Sequence, residues 1–534
     1  MSATAARRRA RRPGAAANRH RHSNQPSSEE LQQQVERQQR EINNLRDQLA
    51  RREKQLADAE KQIADAEKQI VDAEKQIADL ERQLAGRKKN STNSSKPPSS
   101  DGLAGEQRPR GGNHKSRRKP GAQPGHAGHH RRLVPAADVS AVEVLLPKLC
   151  GHCGGSLPQT PGTVTTQGQP RRHQVTEVPP VQAHITEYQF PNVVCGHCGK
   201  ATRAPLPGEI AGQFGPQLTA LIAYWTVVCR LPRRLVEAML ADVLGIPISL
   251  GSTQKAWEEV SQAVQQPVRQ LQEQLPRQAV LNVDETGWRT SGDKRWIWAL
   301  VAQQFVFYVV ASSRGAEVLV SLLGAVFRGI LCSDRWIVYL TYHSGPMQLC
   351  WAHLKRNILG IDDYARSPSA RQFCRDALAL VARLFRLWHR FRGDVRDRRG
   401  NPQPIDRRQL ILKSIPLQEK LFALAEAHLD DADSEVRNLA TALFIHCERL
   451  FTFLEYEGVE PTNNVVERAL RTAVQWRKIS FGNRSRNGEL ATARLLTVTQ
   501  TCKKQQRHVL AYLTDAVRCY RRQAAAPSLL PQRP

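Results

Sequence analysis

The 534-residue sequence lacks any long apolar run without charged residues. A membrane-spanning helix needs roughly 20 predominantly apolar residues, so we expect no membrane span. The basic N-terminus, MSATAARRRARRPG, also lacks the apolar stretch that follows the basic residues of a secretory signal. These absences argue against membrane and secreted classes and favour a cytoplasmic protein.

Acidic residues are scarce relative to basic ones. The chain has 50 Asp and Glu against 78 Lys and Arg, for a formal net charge of +28. Such an excess predicts a polyanionic partner such as nucleic acid. A ribosome-like or membrane-surface basic protein is the alternative, but much of the chain looks globular and contains tryptophan.

The eleven cysteines do not form the regular pattern of a disulfide framework. Four of them stand in two CGHCG motifs. Two CxxC pairs, each followed by glycine, predict a tetrahedral structural Zn²⁺ site. The alternatives are a redox dithiol and a site that has lost its function. The intervening QVTEV and AHITEYQF alternate as strands do, so residues 149–200 are predicted to form a zinc ribbon. The predicted ligands are Cys150, Cys153, Cys195 and Cys198.

The N-terminal quarter contains a heptad repeat. Apolar residues recur every seven positions from Val35 to Leu84, which predicts a coiled coil over residues 29–87 and self-association into a homo-oligomer. A single long solvated helix is the alternative. Residues 1–28 form a basic arm that we expect to be disordered, either lying along phosphates or simply solvated.

Two further segments precede the acidic motifs. Residues 88–148 are rich in Pro, Gly, Ser and basic residues and resemble a linker, either contacting phosphates or acting as a plain spacer. Residues 209–275 are predicted to be helical, with Ser252 or Thr253 capping the third helix. Their helix, short glycine turn and helix resemble a helix-turn-helix. Helices that pack on the next domain are an equal alternative.

Residues 278–345 are predicted to be the first part of an α/β core. VLNVDETGWR is predicted to be a strand that ends at Asp284 before a turn at Thr286–Gly287, and two strands follow it as an antiparallel meander. A helix then leads to a fourth strand ending at Asp334. This order is typical of a ribonuclease-H-like sheet, in which the first and fourth strands are neighbours.

A third carboxylate, Glu467, is predicted in a helix that opens after an Asn-rich cap. The 132 residues between Asp334 and Glu467 are too many for the bare fold. Residues 346–455 are therefore interpreted as a helical insertion, 456–515 as the second part of the core and 516–534 as a tail. Two strand-end aspartates and one helical glutamate are typical of a two-metal phosphoryl-transfer site.

In these motifs the chain resembles the IS66-type transposases of bacterial insertion sequences, which belong to the DDE superfamily. The resemblance extends in order over nearly the whole chain. It is carried by the coiled coil and by NSSKPPSSD, KPGAQPGHAGH, the CGHCG pair, LPRRLVEAMLADVLGIPIS, NVDETGWR, SDRW, CWAHLKRN and TNNVVERALRTAVQWRKISFGNRS.

The resemblance implies a metal-dependent DNA strand cleavage and transfer at element ends, with Asp284, Asp334 and Glu467 as the acidic triad. These carboxylates would hold two Mg²⁺ ions, or Mn²⁺ in their place, with Asp284 bridging. DNA of the element ends and the target is the expected substrate, accessory proteins from the same element are expected partners, and nucleoid association is expected. The predicted DNA contacts are Lys355, Arg356, Arg468, Arg471, Arg477 and Lys478.

Four other residues are weaker candidates. Glu285 adjoins Asp284 but should point to the opposite sheet face. His353 would orient the scissile phosphate or pack in a helix interface. Trp288 and Trp476 would stack on a frayed base or fill the core, and core packing is favoured for Trp288.

The predicted fold class is therefore multidomain α/β. A ribonuclease-H-like core with a helical insertion would follow a coiled coil, a zinc ribbon and a helix-turn-helix-like segment. Two other functions stay open: a catalytically inactive DNA-binding relic or regulator, and an assembly scaffold built from the coil and the ribbon.

Overall fold

The computed structural model describes residues 28–88, 132–165, 167–210, 212–365, 367–395 and 401–530. The chain divides into two compact units, residues 1–89 and 90–534. The predicted basic arm, apart from Ser28, and the linker between 89 and 131 lie outside the described residues. Within those ranges, no helix is long and apolar enough to cross a membrane.

The first unit contains one continuous helix, α1 (Ser28–Lys88). The predicted helix is therefore present, and its apolar seam is exposed from Val35 to Ile70 in the single chain. Exposed fractions of the seam side chains range from 43% at Ile42 to 63% at Leu56. Their pairing with a second helix stays a prediction, because a single solvated helix would expose the same residues.

The cysteine-rich segment has little regular structure. Its described strands are β1 (Asn192–Val194) and β2 (Ala201–Arg203), an antiparallel pair around the second CGHCG motif. A single bridge, Leu149 to Ser156, flanks the first motif. The prediction that QVTEV and AHITEYQF are strands is wrong. Side chains such as Ile185 are 87% exposed there, so the alternating residues have no surface to pack against.

Four helices follow and pack on the rest of the second unit. The third helix begins one turn earlier than predicted, because Ser249, not Ser252 or Thr253, is its cap and accepts a hydrogen bond from the Ser252 N–H. Trp257 and Val260 belong to the same apolar core as the sheet, which agrees with the packing alternative. The helices are α2 (Pro216–Val227), α3 (Arg233–Leu244), α4 (Leu250–Ala263) and α5 (Gln265–Gln274).

A five-stranded mixed sheet forms the centre of this unit. Its order is β5-β4-β3-β6-β7, with β3, β4 and β5 antiparallel and β6 and β7 parallel to β3. The predicted meander and the neighbouring first and fourth strands are therefore present. The strands are β3 (Val280–Thr290), β4 (Asp293–Val301), β5 (Val306–Ala311), β6 (Ile330–Ser333) and β7 (Met347–Leu349).

Two expectations about the sheet are wrong. β3 does not end at Asp284, because β4 pairs with it as far as Thr290, and the turn lies at Ser291–Gly292. Residues 346–455 are not helical throughout, since Met347–Leu349 is a strand that pairs with β6. A three-residue segment is too short to show a strand period in the sequence.

Helices cover the sheet, and five of the described ones, α8 to α12, lie between 351 and 455, where the helical insertion is predicted. α13 packs on β3 and β4 and α14 on β5, so the chain returns to the sheet as expected. The described part of the predicted tail, residues 516–530, belongs to the fold, because Leu529 is fully buried. The helices are α6 (Ala316–Leu323), α7 (Ile337–Tyr342), α8 (Trp351–Asp362), α9 (Pro368–Phe391), α10 (Arg407–Glu426), α11 (Ser434–His446), α12 (Thr452–Glu455), α13 (Asn464–Ser480), α14 (Arg486–Lys504) and α15 (Val509–Arg521).

Candidate metal and DNA site

Two aspartates lie side by side where β6 ends. β3 and β6 pair in parallel with Asn282 opposite Cys332, and each chain reaches an aspartate two residues later. Residues two apart on a strand share a face, so Asp284 and Asp334 lie on the same face of the sheet at adjacent strands. Pairing of the parallel strands thus brings together two carboxylates that are far apart in sequence.

The environment of these aspartates opposes their ionisation. Burial raises the pKa of Asp284 well above its ordinary value, and the neighbouring carboxylates of Glu285, Asp334 and Glu467 raise it further. The Glu285 N–H donates to Asp284 Oδ1 at 2.9 Å, which acts in the opposite direction. Burial also raises the pKa of Asp334, against the effect of the Trp336 N–H that donates to its Oδ1. A bound cation would relieve this crowding of like charges.

Asn463 ties the start of α13 to the sheet. Its side-chain Nδ2 donates to the Val283 carbonyl at 2.9 Å, immediately before Asp284, and its backbone N–H donates to Cys350 Sγ. Asn463 is only 1% exposed. This contact places Glu467, in the first turn of α13, near the aspartates. The sequence showed an Asn-rich helix start, but its contact with β3 was not predicted.

Glu467 is held by an ion pair. Its Oε1 accepts a hydrogen bond from Arg356 Nη2 at 2.7 Å and lies 3.6 Å from His353 Nδ1. Among the described residues, the one group of three His, Cys, Asp or Glu donors within 4.8 Å of one another is Cys350, His353 and Glu467. The three predicted acids are therefore close enough to affect one another but do not converge within that distance.

Cys350 and His353 are uncharged at pH 7, and neither offers the oxygen ligand that a hard cation prefers. Burial raises the pKa of the Cys350 thiol to about 11. Burial, together with Arg356 and Arg335, lowers the pKa of His353 to about 3, so the imidazole is neutral at pH 7. Mg²⁺ prefers oxygen ligands. The donor set that fits it is therefore the carboxylates, with the Arg356 pair to Glu467 as a competitor.

Glu285 points away from Asp284, as the strand alternation predicts, and is 8% exposed. Arg314 Nε donates to Glu285 Oε1 at 2.6 Å, and the Tyr339 hydroxyl donates to Oε2. The Arg314 guanidinium also lies 3.9 Å from the ring centroid of Trp336, two residues after Asp334. Arg314 and Tyr339 thus hold Glu285, and Arg314 also contacts the segment that follows Asp334. Neither residue was identified from the sequence.

A cavity of about 340 Å³ adjoins Asp334. Arg335 Nη2 donates to Asn357 Oδ1 at 2.8 Å in its wall. The cavity combines a carboxylate with two guanidinium groups, which suits a phosphate held beside a cation. Its lining residues are Arg314, Asp334, Arg335, Trp336, His353 and Asn357.

The predicted DNA contacts fall into two groups. Lys355, Arg468 and Arg471 are exposed and stay predictions, as does the exposed Lys478. Two others are engaged within the protein. Arg356 pairs with Glu467, and Arg477 Nη1 donates to the Gly287 carbonyl, where burial lowers the pKa of Arg477.

The two tryptophans are core residues. Trp288 is 2% exposed, as favoured from the sequence, and its Nε1 donates to Asn483 Oδ1 at 2.7 Å. Trp476 is 7% exposed. Burial to this degree leaves little ring surface for a stacked base.

The two cysteine motifs form matching turns. The Cys150 and Cys195 N–H groups donate to the carbonyls of Gly155 and Lys200 at 2.8 and 2.9 Å. Gly154 and Gly199 have φ of 73° and 72°, which favours glycine.

Backbone N–H groups of Cys153 and Cys198 chiefly lower the pKa values of the Cys150 and Cys195 thiols, as suits metal-binding thiolates. Within the described residues, however, no three of the four sulfurs lie within 4.8 Å of one another. The shared Zn²⁺ site therefore stays a prediction.

Comparison with known proteins identifies the family of the chain. Residues 22–132 match the model of a family of unknown function (DUF6444). Two proteins of Sinorhizobium fredii (strain NBRC 101917 / NGR234) are similar to the chain: "uncharacterized protein y4qI", 26% identical over 76% of this chain and 75% of its own length, and "uncharacterized protein y4jD", 22% identical over 69% and 74%. Residues 211–491, more than half of the chain and including all three acids, match the model of the transposase IS66 family. The chain therefore belongs to the IS66 transposase family.

Proposed function

We propose that this transposase cleaves and joins DNA at the ends of an insertion sequence through a DDE two-metal site. The observation that carries the proposal is the pairing of β3 with β6, which sets Asp284 beside Asp334, while Asn463 attaches the helix of Glu467 to the same strand. The strand order and the parallel fourth and fifth strands support a ribonuclease-H-like fold for this core.

The chain's own groups account for binding and orientation. Asp284, Asp334 and Glu467 would hold two Mg²⁺ ions, which supply activation of the attacking oxygen and stabilisation of the leaving 3′ oxygen. Glu467 pairs with Arg356 through Oε1, so its Oε2 is the oxygen that could bind a metal ion while this pair persists. His353 stays neutral at pH 7, so it contributes hydrogen bonds and not charge.

The cavity beside Asp334 would receive the scissile phosphate. Arg314 and Arg335 line it and offer charge-assisted hydrogen bonds to phosphate oxygens. Arg314 is also fixed by Glu285 and by the ring of Trp336, so its guanidinium is already oriented. Such preorganised donors favour a transition state in which negative charge develops on the phosphate.

The test is cleavage of a labelled duplex that carries the element's own end, with Mg²⁺ and with EDTA. We expect metal-dependent nicks at the end with the wild type and none with Asp284→Asn, whose binding to the end should be nearly unchanged. The matched control is Asp293→Asn, since Asp293 is exposed on the neighbouring strand β4 and should leave cleavage unaltered. Equal cleavage by wild type and Asp284→Asn would contradict the acidic triad.

One observation favours a second function, that of a DNA-binding relic or regulator without catalysis. The Arg356–Glu467 ion pair occupies a predicted ligand. End binding without cleavage in the same assay, unchanged when the neighbouring gene products of the element are added, would support the relic. Cleavage restored by those products would instead show that accessory proteins are needed.

Self-association through α1 completes the proposal. The exposed apolar seam of α1 would be buried between two or more chains. Deleting residues 29–87 should lower the mass measured by light scattering to that of the single chain. An unaltered mass would show that α1 is a solvated single helix.

A further inference from the structure

A second cavity, of about 690 Å³, lies away from the acids, between the α2–α4 helices and the loop that follows α13. We call it the arginine groove, after four lining residues. None of the four has an ion-pair partner within 4.0 Å in the described part of the chain. Its lining also includes Trp257 and Trp476, and its arginines are Arg230, Arg233, Arg234 and Arg484.

Unsatisfied donors are built into this groove. The Nε atoms of Arg230 and Arg233 and the Nε1 of Trp257 are buried and have no hydrogen-bond partner. The Arg233 guanidinium lies 5.0 Å from the Trp257 ring centroid. Burial lowers the pKa of Arg233, and the charge of Glu258 acts in the opposite direction. Buried donors without acceptors are costly, so this site suits a ligand rich in acceptor oxygens.

Three helices begin at the same groove. α3 starts at Arg233, α4 at Leu250 and α14 directly after Ser485, and all three of these residues line the cavity. The first N–H groups of a helix lack intrahelical partners and carry partial positive charge. Together with the four guanidinium groups, they favour an anion, and phosphate in particular.

The loop on the far wall is fixed to the strand that carries Asp284. Asn483 N–H donates to the Arg289 carbonyl at 2.9 Å, and Asn483 Oδ1 accepts from Trp288. A Cβ at Gly482 would clash with the Arg289 carbonyl oxygen, so the close approach requires glycine. The position of Arg484 is thereby set relative to the acidic site.

The occupant that fits best is DNA. Phe481 lies between two lining residues and is 82% exposed, so its ring is available to a base. Glu467 and Ile479 lie twelve residues apart on α13, which corresponds to roughly 18 Å along the helix. At about 3.4 Å per nucleotide of one strand, that span equals about five nucleotides.

We propose that the arginine groove holds backbone phosphates of the substrate DNA about five nucleotides from the bond that the acidic site cleaves. This inference rests on the proposed function for the identity of the substrate. The groove would contact phosphates and no base edges, so it would position the duplex without reading its sequence.

The test compares two double variants of the full chain. Arg234→Gln with Arg484→Gln removes two exposed groove charges, and Arg383→Gln with Arg408→Gln removes two exposed charges on α9 and α10 as a control. Binding of a fluorescent 40-base-pair duplex carrying the element's end is measured by anisotropy at several salt concentrations. We expect the groove pair to reduce the salt slope by about 2 and affinity by roughly tenfold, and the control pair to change neither.

Ethylation interference, in which single phosphates of the duplex are ethylated before binding, shows which phosphates the arginine groove contacts. We expect interference about five nucleotides from the nick with the wild type and loss of that signal with the groove pair. Equal slopes for both pairs, or interference that the groove pair does not alter, would overturn the proposal. If the wild type shows no Mg²⁺-dependent nick but the slope falls in the groove pair alone, cleavage fails as a function while the groove stands as a DNA site.

Discussion

The acidic residues and the cysteine motifs show two ways in which a chain brings candidate metal ligands together. Each CGHCG motif completes its turn within a few residues, with a glycine at positive φ and a backbone N–H on the first cysteine carbonyl. The acids come from three separate segments and depend on the β3–β6 register and on the Asn463 hydrogen bond. Local sequence is therefore enough to position the two cysteines of one motif. The acids, which come from distant segments, are brought together only by strand pairing in the sheet.

The largest expected effect concerns the cysteines. Cys150→Ser should remove the zinc from the purified protein. The three thiolates that remain, one in the first motif and two in the second, would bind the ion less tightly than a complete set of four. Mass spectrometry of bound metal would show about one zinc per chain falling to nearly none. Cys229→Ser is the control, since Cys229 is an exposed free cysteine outside the motifs. Equal zinc in Cys150→Ser and wild type would mean that the turns do not bind metal.

The next effect tests the assembly of the acidic site. Asn463→Ala removes the bond between α13 and Val283, so the free energy of unfolding should fall by about 1–3 kcal/mol. Displacement of Glu467 should slow cleavage by roughly 10²-fold. Denaturant unfolding and the nicking assay measure the two quantities. Asn464→Ala, at the first residue of α13, is the matched control, and equal losses in both variants would contradict a special role for Asn463.

The smallest effect is a gain in stability. The folded pKa of Asp284 is raised, so its contribution to stability is present below the unfolded value of about 3.9 and is lost as pH rises through the folded pKa. Without metal at pH 7–8, Asp284→Asn should therefore raise the melting temperature, by roughly 2–4 °C for each kcal/mol relieved. The difference from wild type should shrink as pH falls. A lower melting temperature for Asp284→Asn than for the wild type at pH 8 would show that the charged Asp284 carboxylate does not destabilise the fold.

Particular residues show how far the sequence could be interpreted. The strands around Asp284 and Asp334 were predicted because apolar runs with polar flanks are visible in the chain, and the order of meander, helix and strand implied their pairing. The end of β3 was misplaced because its length depends on β4, a tertiary partner. Arg314, Tyr339 and Asn463 were not identified, because a buried polar contact leaves no periodic signal in the sequence.

The sequence by itself determined the heptad of α1, the glycine turns of the cysteine motifs, the basic charge and which residues are candidate metal ligands, since these follow from local spacing and composition. Only the tertiary structure decided which basic residues face inward, as Arg356 and Arg477 do, and which line a shared groove. It also decided that α3, α4 and α14 begin at one place. The physical reason is that burial and the pairing of distant charges depend on packing, which adjacent residues do not specify.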